Sequence, residues 1–152
     1  MITSRESIYS ALFAQIQSAL LTPAGPFLTV SRRWVDPSQI APADRPAVYQ
    51  VETGEVASTS GKIAGLPLAF NLKVDLVLYT SGSTDASVIP SQELNSLLDA
   101  VESSLPNVAK GFSQSLGGKV YNARIDGKIE IVENVAGVMA MAVVPVLLVQ
   151  GS

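Results

Sequence analysis

A chain of 152 residues has room for one domain, and a domain of that size buries enough surface to hold a core without disulfide or metal staples. Apolar residues make up 47% and charged residues only 15%, against roughly 25% in a typical soluble domain. That balance excludes global disorder and leaves neutral or apolar surface for a partner, a second copy among the candidates. Histidine and cysteine are both absent, which removes disulfide frameworks, zinc sites built on thiolate or imidazole, Cys nucleophiles and Ser-His-Asp triads. A net charge of −3 argues against a sequence-independent grip on nucleic-acid phosphates.

Met1 to Glu6 mixes a base and an acid and leads into an amphipathic pattern, with no apolar signal core. Thr3-Ser4-Arg5-Glu6 has the form of a capping box, with Thr3 as the N-cap and Glu6 reaching back. Ile8, Leu12, Ile16 and Leu20 then recur every four residues, which predicts a helix ending before Pro23. Phe27 to Trp34 reads as a first strand, and a Pro-punctuated loop runs from Asp36 to Pro46. Ala47 to Glu52 reads as a second strand. The stretch Thr53 to Pro67 is small, polar and Gly-rich, and is expected to be a long flexible hairpin loop.

Leu68 to Tyr79 is the clearest strand. Phe70, Leu72, Val74, Leu76 and Leu78 face one way and must lie under a helix or on a core. Pro90-Ser91 opens a second helix, with Leu94, Leu97, Leu98, Val101 and Leu105 at helical spacing and Pro106 as its stop. After a loop closed by Gly117-Gly118, Lys119 to Ile125 and Lys128 to Glu133 flank Asp126-Gly127, a strong two-residue hairpin signal. Gly137 to Val149 is the last strand, with Pro145 marking an edge, a bulge or an unpaired side. The longest apolar stretch, Val135 to Val149, is broken by Gly137 and Pro145 and is too short for a membrane helix, so no membrane partner is expected. The expected fold is α+β, one domain over residues 1–152. Two helices pack on one face of a mainly antiparallel sheet, in the order α-β-β-β-α-β-β-β. The second sheet face stays half polar, a place where a partner could sit.

Chemistry is scarce along this path. Asp99 and Glu102, three apart on the second helix, read as a solvated helix face; Lys73 and Asp75 share a strand face as a surface ion pair. Gly117-Gly118-Lys119 lacks the frame of a phosphate loop. No catalytic, cofactor or metal residues are expected. Arg32-Arg33-Trp34 is the densest cationic and aromatic spot, and adjacent arginines on a strand would face opposite ways. Arg and Trp are favoured interface anchors, which makes Arg32, Arg33 and Trp34 candidates for a partner contact. Asp126, Lys128 and Glu130 around the Asp-Gly turn are candidates for a complementary one.

The ordered series Ser4–Leu21, Val30–Trp34 (VSRRW), Arg45–Val51 (RPAVYQV), Leu66–Tyr79, Leu94–Leu105, Leu116–Glu133 (ending IDGKIEIVE) and Ala142–Val149 (AVVPVLLV) resembles tail terminator, or tail completion, proteins of long-tailed phages. The resemblance spans nearly the whole chain and carries no catalytic signature. It implies a non-enzymatic subunit that assembles into a homo-oligomeric ring of six. The ring caps the tail tube, ends its polymerisation and meets the head-side connector, so the implied partners are a second copy, the tube protein and the connector. The implied place is the head-proximal end of the virion tail, with the host cytoplasm during assembly. DNA would pass through the ring without being gripped. The alternatives are another neck, minor tail or tube subunit, and a small-ligand-binding domain.

Overall fold

The computed structural model describes residues 4–59, 68–105 and 115–149. These form an α+β fold with two helices and a mixed sheet of six strands. Helix α1 spans Arg5–Leu20 and helix α2 spans Pro90–Ser103. The strands are β1 (Thr29–Ser31), β2 (Ala47–Thr59), β3 (Leu68–Tyr79), β4 (Asn122–Ile125), β5 (Glu130–Val135) and β6 (Met139–Val149). Two single 3₁₀ turns, Pro37–Gln39 and Pro42–Asp44, sit between β1 and β2, so the expected order of helices and strands is followed apart from these insertions.

Helix α1 forms where the four-residue apolar spacing lies, and Ile8, Leu12, Ile16 and Leu20 are all buried. Burying such a side chain stabilises by about 1.5–3 kcal/mol relative to leaving it exposed. The cap differs from the expected box. Thr3 lies outside the described residues, and the capping oxygen is Ser4 Oγ, which accepts from the Ser7 amide at 3.2 Å. Glu6 turns sideways and accepts from Arg32 and Ser10.

The sheet order is β1-β2-β3-β6-β4, with β5 pairing β6 beyond the end of β4. Only β1 and β2 run parallel; the other pairings are antiparallel. Both helices cover one face. There Leu72, Val74, Leu76 and Leu78 of β3 join Val48 of β2 and Val144, Val146 and Leu148 of β6, under Ile8 and Leu12 of α1 and Leu94, Leu97 and Val101 of α2. Gln15 Nε2 donates to the Ser104 carbonyl at 3.0 Å and ties the helices together. Among the polar side chains buried here is Gln50, 2% exposed, which donates to the Tyr9 carbonyl at 3.0 Å while its own Oε1 has no partner.

Three sequence expectations are corrected. Strand β1 covers Thr29–Ser31 only, so Arg32, Arg33 and Trp34 lie beyond it. Strand β2 continues past Glu52 to Thr59, through a bulge at Thr53, because β3 supplies partners all the way to Leu68. The expected loop therefore overlaps paired strand over Thr53–Thr59, and its remainder, residues 60–67, lies outside the described residues. The Asp126-Gly127 hairpin does not form. β4 and β5 do not pair with each other; both pair with β6, β4 along Val146–Val149 and β5 along Met139–Val143.

Pro145 accounts for that break. Its carbonyl accepts from the Asp126 amide at 3.0 Å, so its nitrogen, which carries no hydrogen, faces the same flank. The flanking strand buckles there, and Gly127 takes φ +125 with its Cα against the proline: a Cβ would lie 3.2 Å from Pro145 Cγ. The true hairpin lies later. It joins β5 to β6 through Ala136 and Gly137, with φ +52 and +78, the two positive values that a type I′ turn requires.

Candidate functional site

Because β1 and the β4/β5 flank are the two ends of the sheet, the sequence candidates fall into two sets on opposite edges of the molecule. Arg32, Arg33 and Trp34 follow β1. Asp126, Lys128 and Glu130 occupy the β4–β5 break and the start of β5. Within one chain the two sets do not meet.

Arg32 points inward. Its Nη1 donates to Glu6 at 2.8 Å, its Nη2 donates to Glu52 at 2.9 Å, and its Cζ lies 6.0 Å from the centre of the Tyr9 ring. One guanidinium thus links the first turn of α1 to β2 across the exit from β1. The bond to Arg32 holds the Glu6 carboxyl below its ordinary range, and the bonds from Glu6 and Glu52 hold Arg32 above its own. Arg33 is exposed, with its amide bound to Ser31 Oγ at 3.0 Å. Trp34 is 47% exposed, and its Nε1 donates to the Tyr79 hydroxyl at 3.2 Å. Of the three, Arg33 offers charge to a neighbour, Trp34 offers half an indole, and Arg32 is engaged within the fold.

On the opposite edge, Arg124 reaches Asp126 at 3.4 Å, and Lys128 lies 3.8 Å from Glu130. All four side chains are substantially exposed, so these pairs are worth at most ~1 kcal/mol. Ile131 and Val132, on opposite faces of β5, are 51% and 41% exposed beside them. The outer side of β5 has no neighbouring strand among the described residues.

The second sheet face, read from sequence as open and half polar, is partly covered by the chain itself. Ile40 and the flanking Val35 fold over Ala47, Tyr49, Val77, Tyr79 and Met139. Tyr49 and Tyr79 meet edge to face at 6.2 Å. The sequence signal for this second cluster was present: Trp34-Val35 and Ile40 are apolar islands in a Pro- and Asp-rich loop. Further along the same face Asp75 sits between Val51 and Pro145 on the neighbouring strands, and burial pushes its carboxyl up. Lys73 shares that face, yet no Lys73–Asp75 ion pair within 4.0 Å is found.

Among the described residues, no group of three acidic side chains is placed to hold a metal ion. No helix there is long and apolar enough to cross a membrane. Asp99 and Glu102 are exposed on α2, with no basic partner within 4.0 Å among the described residues. The geometry offers surfaces for contact. No family model matches the chain, and no curated protein matches it either.

Proposed function

We propose that this chain is a structural subunit of a phage tail, of the tail terminator kind, which closes into a ring, caps the tail tube and meets the head-side connector. The observation that carries the reading is the pair of unlike sheet edges. A ring is built from heterologous contacts, in which one surface of each subunit meets a different surface of the next. An open sheet with Arg33 and Trp34 beyond one end, and Asp126, Glu130, Ile131 and Val132 at the other, supplies two such surfaces. The low surface charge and the family resemblance of the ordered segments support it further. Six copies would carry about −18, which repels the DNA that must pass.

The test is the mass of the purified chain with and without tail tubes. A terminator stays a monomer or a closed ring alone and binds tube ends at fixed stoichiometry. Open-ended filaments of the isolated chain would assign it as a tube protein, and indifference to tubes would end the tail reading.

A further inference from the structure

We propose a carboxylate-binding site at Arg45, independent of the ring reading. Arg45 leaves the 3₁₀ turn Pro42–Asp44 just before β2, and its side chain packs against the loop after β3 and the start of β6. The fit is close: a Cβ on Gly82 would lie 2.8 Å from Arg45 Nη1, 3.1 Å from Met139 Cγ and 3.3 Å from the Val138 carbonyl oxygen. Gly82 takes φ +82 there, and the backbone approach leaves no room for a side chain.

The guanidinium is held without a counter-charge. Its Nε is buried with no hydrogen-bond partner, and no carboxylate among the described residues lies within 4.0 Å of it. Asp44, next to Arg45 in the chain, makes no ion pair with it within 4.0 Å, and three further carboxylates are held by serines. Glu93 accepts from Ser81 N and Oγ, Asp85 accepts from Ser87 N and Oγ, and Asp36 accepts from Ser38 N and Oγ. A partly desolvated cation that its own chain leaves unpaired is costly until an anion supplies the missing charge. Arg45 stays partly exposed while its Nε is buried, so the ligand is placed at the remaining Nη end, where the planar fork of a guanidinium matches a carboxylate. The ligand is a small carboxylic acid or an acidic side chain of a second copy.

The probe is sodium acetate against sodium chloride and phosphate at equal ionic strength, followed at the Arg45 Nε–Hε resonance by NMR. Acetate should move that resonance saturably, while chloride leaves it in place. At ten times its dissociation constant acetate should raise Tm by about 3–6 °C. Arg45→Lys should lose the fork and the gain in Tm. Gly82→Ala, which crowds Nη1, should weaken the response in a chain that keeps Arg45. A shift that grows with protein concentration and no added acid identifies a second copy as the source; a response to acetate alone identifies a small acid. No shift with acetate, an equal shift with chloride, or a stronger response to phosphate would overturn the assignment.

Discussion

The Arg32 guanidinium touches α1 through Glu6, β2 through Glu52 and the face of Tyr9, so a residue beyond the end of a three-residue strand fixes how the first helix meets the sheet. None of this is local. Glu6 lies 26 positions away and Glu52 lies 20, and no spacing rule connects them. The sequence reading of Arg32 as a partner contact had only composition to use. The pH consequence follows from Glu6. Its folded value is depressed from an ordinary 4.5 by the Arg32 bond, so it contributes stability that is complete above that ordinary value and lost as pH falls through the lower, folded one. Thermal melts from pH 7 down to pH 3 should show Glu6→Gln with a shallower acid-side loss than the parent chain. The gap should narrow in 1 M salt, because the pair is exposed. Parallel curves would mean that the Glu6–Arg32 bond contributes nothing to folding.

At the scale of elements, the helices and β3 were legible because each carries its period over several turns or pleats, and burial follows that period. The Asp-Gly signal misled because turn chemistry is local while strand pairing is not. Asp126-Gly127 has the residues of a tight hairpin, but the partner position opposite it holds Pro145, about twenty residues on, and only the register reveals the missing donor. Likewise Thr53 to Thr59 is too polar to announce a strand, and pairs because β3 extends beside it. The two turns can be told apart by mutation. Gly127→Ala, forced into φ +125 against the proline ring, should cost about 1–3 kcal/mol in chemical denaturation. Ala136→Asn should instead stabilise by about 0.5–1 kcal/mol, since Asn tolerates the left-handed region that Ala136 occupies at φ +52. If Asp126-Gly127 were the hairpin after all, Ala136→Asn would bring no gain.

At the scale of the whole molecule, the proposed ring would set unlike sheet edges of successive copies against each other. Arg33 and Trp34 differ sharply as probes of that contact. Trp34→Ala breaks the bond to Tyr79 and uncovers part of the second cluster, so its melting temperature should drop and its assembly phenotype would be ambiguous. Arg33 is exposed, and Arg33→Glu should leave the melt unchanged. If Arg33 meets the acidic edge of the next copy, Arg33→Glu should dissociate the ring in native mass measurements. Glu130→Lys in the same chain should restore it. A ring that persists in the single variant, with a normal melt, removes the Arg33–Glu130 contact from the interface.

The break in the β4/β5 flank also bears on how the protein behaves at high concentration. An uninterrupted strand along β6 would leave a long, straight template of free amides and carbonyls, the kind of surface from which fibrils grow. Splitting it gives pieces of four and six residues. The longer piece, β5, exposes Ile131 and Val132 but carries Glu130 and Glu133, whose like charges would stack in register in any cross-β array of identical chains. The proline and glycine of one kink thus shorten the sticky edge, and the two glutamates make self-stacking unfavourable there. What remains is an edge on which a second β5 would stack poorly.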